Sequence, residues 1–136
     1  MAFILDCSVA LSWYFMDEET EQTHALREQL IEKSIHVPAL WPLEITNVVL
    51  AALRRKRISN EDLPELLGDL RELPDEIDRE TDAMVWDDTF QLARQFNLSV
   101  YDATYLELAI RKKLPIATLD KRLAKACNEA ELDLLV

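Results

Sequence analysis

The sequence predicts an α/β fold, a mostly parallel central sheet flanked by helices, and three observations carry that expectation. Short β-like runs alternate with longer helical ones along the chain, the pattern of strands joined by helical crossovers. With 136 residues, of which 49% are apolar, the chain is long enough for one sizeable core. No repeat, linker or low-complexity stretch divides it, so residues 1–136 read as a single domain.

The elements follow in order. Phe3 to Leu5 reads as a strand and SVALSWYF after it as a short helix, while ETEQTHALREQLIEK carries Ala25, Leu26, Leu30 and Ile31 at helical spacing. IHVPAL is a short strand closed by Pro38. A helix from about Pro42 to Arg57 follows, with proline in the first turn, where its missing N–H costs nothing. Ser59 or Asn60 then caps a helix through Leu73, with Pro64 in its opening turn. EIDRE is a weak strand candidate, DTFQLARQFN is helical, and DATYLELAIRKK is a helix with Asp102 as its cap. The run from Ile116 to Leu119 is the next strand, and ELDLLV reads as an edge strand.

Composition removes several chemistries. Gly68 is the only glycine, whereas a P-loop, a dinucleotide fingerprint and a Ser-hydrolase elbow all need glycine where the backbone turns sharply or meets a phosphate. His24 and His36 lie far from any partner at zinc spacing and read as structural or solvent-facing. Cys7 and Cys127 form no disulfide framework and read as small buried thiols in a reducing cytoplasm. No apolar run approaches bilayer length and no leader precedes Phe3, so the expectation is a soluble, unexported, cytoplasmic protein with no membrane partner. Trp13, Tyr14 and Phe15 read as core or partner-contact residues, with stacking on an unpaired base as the alternative.

A net charge of −11 argues against nonspecific coating of polyanions. Cations are nevertheless concentrated at Arg54 to Arg57, at Arg111 to Lys113, and at Lys121, Arg122 and Lys125. The first two runs suit the negative ends of helix dipoles. Only the third adjoins a candidate site residue, which makes Lys121 and Arg122 the candidate phosphate contacts.

Four acids stand out because each adjoins an apolar run: Asp6, Glu44, Asp102 and Asp120. Asp6 and Asp120 end strand-like runs, and Glu44 and Asp102 fall near helix starts, so a parallel sheet gathers all four outside the carboxyl ends of its strands. Clustered carboxylates raise one another's pKa and call for a cation, naturally Mg²⁺ or Mn²⁺. Taken singly, Asp6 is equally a turn residue, Asp102 a helix N-cap and Asp120 the cap of the last helix. Glu44, between Leu43 and Ile45 and with Asn47 near its face, is harder to assign to structure alone. Ser8 and Thr118 place hydroxyls beside Asp6 and Asp120, where they would orient carboxylates, although Ser8 is equally a cap.

These residues resemble a known family. A leading strand ending in Asp-x-Ser (Asp6, Ser8), the Glu-x-x-Asn of Glu44 and Asn47, YDATYLELA with Asp102, and LPIATLD with Asp120 together resemble the PIN domain over essentially the whole chain, and within it the VapC-type toxins of prokaryotic toxin–antitoxin pairs. The resemblance implies a PIN-like three-layer sandwich and a metal-dependent endoribonuclease. It also implies a homodimer silenced by a cognate antitoxin protein, with RNA as substrate. Asp6, Glu44, Asp102 and Asp120 carry over as catalytic residues holding one or two Mg²⁺ or Mn²⁺ ions, with Ser8, Asn47 and Thr118 as supports. Cys7 departs from the family's commoner small non-thiol residue without touching the catalytic set.

The implied chemistry is hydrolysis of a phosphodiester, in which one cation would lower the pKa of a water and a second, if present about 4 Å away, would steady the leaving oxygen. Asp6, Asp102 and Asp120 would bind directly, Glu44 directly or through water. Two rivals remain. A haloacid-dehalogenase-like phosphatase also places Asp after its first strand, but needs a second acid where Ser8 stands. A non-catalytic PIN-like interaction module would not need all four acids.

Overall fold

Phe3, Ile4 and Leu5 have no solvent exposure, so strand β1 (Ala2–Leu5) is covered on both faces, as strands of parallel sheets are. The computed structural model describes residues 1–136, the side chains of Met16 and Ile31 apart. Strand β2 (Ser34–Val37) pairs in parallel with one flank of β1, Phe3 opposite Ile35, and β4 (Ile116–Ala117) pairs with the other, Leu5 opposite Ala117. With β3 (Glu76–Ile77) beside β2, the order is β3-β2-β1-β4 and every pair is parallel. The chain therefore steps outward from β1 to β3 and returns to the far flank of β1. That reversal is the switch point at which open parallel sheets bind ligands.

Helices fill the crossovers. After β1 come α1 (Cys7–Ser12) and α2 (Glu21–Glu28), and after β2 come α3 (Trp41–Arg54) and α4 (Leu63–Glu72). Between β3 and β4 run α5 (Thr81–Met84), a π-helical turn (Val85–Thr89), α6 (Phe90–Phe96) and α7 (Val100–Lys112), and α8 (Lys121–Glu129) follows β4. The buried apolar residues described, Ala93 and Ala103 apart, form one cluster, in which Tyr105, Leu106 and Leu108 of α7 pack with the strands and with Leu123 of α8. Truncating a side chain such as Leu106 to alanine would cost about 2–5 kcal/mol.

Several local expectations are corrected. The first helix stops at Ser12, because Trp13 turns its indole N–H to the Thr23 carbonyl at 2.6 Å and Phe15 folds into the core. Trp13 and Phe15 are thus core residues, and Tyr14 is half-buried under the Arg27 guanidinium. The helix expected over residues 19–33 breaks after Glu28, leaving Ala25 exposed and Leu26 buried. The side chain of Ile31 lies outside the described part. The segment TDAMVWD, which carries no clear pattern in sequence, is helical up to the π-turn. Asp102 is not the cap of α7: Ser99 is, accepting the Asp102 N–H at 3.0 Å. ELDLLV forms no full strand and only a parallel bridge of Leu134 to Ile116.

Candidate active site

Helices in a parallel crossover run back against the strands, so their first turns lie over the strands' carboxyl ends. Each of the four acids occupies such a turn. Asp6 is the N-cap of α1, Glu44 and Asp102 are in the first turns of α3 and α7, and Asp120 is the N-cap of α8. The positive ends of four helix dipoles thus face the carboxylates and offset part of their repulsion. All four acids line one pocket of about 540 Å³, together with Cys7, Ser8 and Glu18.

Hydroxyls fix two of the acids. Asp6 Oδ2 accepts from Thr118 Oγ1 at 2.6 Å and from Ser8 Oγ at 2.8 Å. Each hydroxyl in turn accepts a backbone N–H, Thr118 from Asp120 and Ser8 from Leu119, both at 3.0 Å, so donor and acceptor roles are set. Asp120 Oδ1 caps α8 through the Leu123 N–H at 2.9 Å, so the cap reading of Asp120 and its place in the pocket hold together. Glu44 Oε1 accepts the Tyr105 hydroxyl at 2.5 Å and lies 3.6 Å from Cys7 Sγ. Because Ser99 caps α7, the Asp102 carboxylate is released from capping.

Burial raises the pKa of Asp6 above its ordinary value and the charge of Asp120 adds to it, against the stabilising hydrogen bonds of Thr118 and Ser8. Burial likewise raises Glu44, with the charges of Asp6 and Asp102 added and the Tyr105 hydroxyl opposing. Asp102 is raised by burial and then by Asp120 and Asp6, with the Ser99 hydroxyl and then Arg122 pulling the other way. Among the described residues no Lys or Arg forms an ion pair with any of the four. An oxygen-rich pocket whose acids have no directly bonded cation among the described residues has the donor chemistry of a hard divalent cation. As placed, no three Asp, Glu, His or Cys side chains among the described residues stand close enough to hold an ion. The donor set fits Mg²⁺ or Mn²⁺ in kind, all four donors being carboxylates.

The remaining expected residues divide. Thr118 and Ser8 touch Asp6 directly, whereas Asn47 is exposed on α3 and does not line the pocket. Lys121 and Arg122 are exposed at the start of α8, with Arg122 near enough to act on Asp102. Arg111 is structural, bonded to Asp78 at 2.6 Å and to Glu107 at 2.8 Å. Tyr105 and Glu18 join the site without having stood out in the sequence. Tyr105 sits one turn after Asp102, where an apolar run conceals a phenol whose hydroxyl reaches the site. Cys7 is buried in contact with both Glu44 and Tyr105, and burial pushes its thiol pKa far up, so it is an inert floor and no nucleophile.

Comparison with known proteins agrees with this geometry. Residues 3–129 match the family model of the PIN domain. The chain is 29% identical to Ribonuclease VapC3 of Pyrobaculum aerophilum over 92% of its own length and 94% of that protein's. Its fold is that of the crystal structure of PAE2754 from Pyrobaculum aerophilum, with a TM-score of 0.68 and 19% identity over 93% of this chain and 79% of the other. FitAcB from Neisseria gonorrhoeae superposes with a TM-score of 0.64 at 19% identity, over 98% of this chain and 96% of that one. A parallel sheet ordered 3-2-1-4, four acid-bearing helix starts at its switch point and a family match spanning nearly every residue lead to one conclusion: the chain belongs to the PIN domain family.

Proposed function

We propose that this protein is a Mg²⁺- or Mn²⁺-dependent endoribonuclease of the VapC type, a cytoplasmic toxin that acts on RNA as a homodimer and is silenced by a cognate antitoxin. The observation that carries the reading is the convergence of Asp6, Glu44, Asp102 and Asp120 in one pocket, with no cationic side chain among the described residues in an ion pair with them. The similarity to a protein named Ribonuclease VapC3 supports the substrate class.

A divalent cation bound here would supply a water of lowered pKa and a counter-charge for the phosphodiester. Asp6, Asp102 and Asp120 would hold it, Glu44 directly or through water. Thr118 and Ser8 keep Asp6 in one orientation by donating to a single oxygen, Oδ2. Where Glu44 binds through water, its second oxygen would accept the proton that the water loses, the first being held by Tyr105. Lys121 and Arg122, beside Asp120 in sequence, would meet the non-bridging phosphate oxygens. The phosphatase alternative loses ground, because Ser8 stands where its second acid would be and spends its hydroxyl on Asp6.

The test is product chemistry. Purified protein with Mn²⁺ should cut RNA to 5′-phosphate and 3′-hydroxyl ends, and chelator should stop it. Ends carrying 2′,3′-cyclic phosphate, or cutting that survives chelation, would sink this mechanism.

A further inference from the structure

Resting on the ribonuclease reading, we propose that the turn between α3 and α4, residues 54–60, is a docking surface for single-stranded RNA that continues from the acid pocket. Without its cation the pocket repels phosphate, and one or two ions there would offset only part of its charge, so affinity for a polyanion must draw on cations beside it. Arg54, Arg55, Lys56 and Arg57 are all exposed, in a chain whose net charge is −11. Arg54, Lys56 and Arg57 line a hollow of about 500 Å³ together with Ser59 and Asn60. Ser59 Oγ accepts the Asp62 N–H at 3.2 Å, which leaves its hydroxyl proton to donate. Cations with a hydroxyl and an amide in one concavity are the groups that contact phosphate and sugar.

The turn is tied to the pocket. Arg57 lies 4.7 Å from the Phe15 ring centroid, bonds both oxygens of Asp17 at 2.9 and 3.1 Å, and stands 3.8 Å from Glu18, which lines the acid pocket. The left-handed backbone of Lys56 and the Arg57 N–H bonded to the Ala52 carbonyl at 2.9 Å fix the path of the turn. Arg57 is thereby the anchor, while Arg54, Arg55 and Lys56 form no ion pair among the described residues. The dipole at the end of α3 accounts for a cation or two in its last turn, not for four in succession beside a polar hollow. Lys121 and Arg122 follow Asp120 at the start of α8, and Arg57 of this turn adjoins Glu18, so cations stand next to two residues of the pocket lining.

Binding without turnover can be read in full-length Asp102→Asn protein, by fluorescence anisotropy of a labelled single-stranded RNA of about 20 nucleotides, across a range of salt concentrations. Adding Arg54→Glu and Lys56→Glu should weaken binding about tenfold or more at low salt. The slope of log affinity against log salt should also become shallower, by about 0.7 for each phosphate that is no longer neutralised. Mn²⁺ binding of protein carrying only the two turn substitutions should be unchanged. A control with the same change in net charge, Arg79→Glu with Arg94→Glu, should leave RNA binding nearly intact. If the control weakens RNA binding as much, or if the turn variant keeps parental affinity and slope, the surface is overturned while the ribonuclease reading stands. If the Asp102→Asn parent binds no RNA at any salt, both fall. Should the charge reversal unfold the protein, Arg54→Gln with Lys56→Gln gives the same reading with a smaller change. Undiminished RNA binding beside abolished binding of a polyglutamate peptide would reassign the turn to an acidic protein partner, and so overturn the proposal.

Discussion

Tyr105 of α7 donates its hydroxyl to Glu44 of α3 at 2.5 Å, across a separation of 61 residues in sequence. The bond ties together two of the helices that bring acids to the pocket, and it leaves Glu44 a single free oxygen. Tyr105→Phe keeps the buried ring and removes only the hydroxyl. Calorimetric titration should show Mn²⁺ affinity falling about tenfold, near 1.4 kcal/mol. In a Glu44→Gln background the same substitution should cost little further, because the effect travels through that carboxylate. Equal losses in both backgrounds would reduce Tyr105 to packing.

Asp102 bears on stability and metal binding in opposite directions. Without a cation the acids repel, so Asp102→Asn should raise the melting temperature in chelator. It should also shrink the stabilisation gained on adding Mn²⁺, since that gain follows affinity for the folded state. RNA cleavage should fall at least about a thousandfold, roughly 4 kcal/mol in barrier. Lower melting in chelator with a full Mn²⁺ response would return Asp102 to a purely structural role.

The raised carboxyls set a pH dependence. Asp6, Glu44 and Asp102 are held above their ordinary pKa values, so between the unfolded and folded values the native state binds more protons. Apo stability contributed by these groups is intact below the ordinary carboxylate range and is lost as pH rises through their raised values. Asp78 has the opposite sign. Burial pushes it up, but the Arg111 and Thr81 hydrogen bonds outweigh burial and hold it low, so its contribution is lost as pH falls through that depressed value. Thermal melts in chelator should therefore lose stability as pH rises past the ordinary carboxylate range and through the raised values. In Mn²⁺ the decline should flatten, since deprotonated ligands bind the cation. A chelator profile that climbs steadily to neutral pH would contradict the raised values.

In cells, expression without an antitoxin should arrest growth, and Asp6→Ala should relieve the arrest. Toxicity untouched by Asp6→Ala would point away from nuclease action.

The acid constellation is legible in the sequence because strand ends and helix starts are marked by local pattern, and a parallel sheet leaves those points a single edge. Asp6 after Phe3–Leu5 and Asp120 after Ile116–Ala117 need no tertiary information. Tyr105 is illegible for the converse reason: it is fully buried in a helix buried along most of its length, and nothing local distinguishes a ring that fills the core from one whose hydroxyl reaches a carboxylate. Asp102 reads as a cap in sequence because Ser99, the true cap, lies outside the apolar run that marks the helix. The basic run ending at Arg57 looks remote from the site, and only folding of Asp17 and Glu18 against it brings the two together.

Gly68, the one glycine, lies in α4, and a Cβ built there meets nothing within 4 Å. The left-handed positions are filled instead by Lys56, Asn97, Lys113 and Glu131, all of which carry side chains. No backbone position in this protein is therefore closed to substitution by the need for a bare Cα. What limits substitution is burial in the core and the chemistry of the acids, not the backbone's need for glycine.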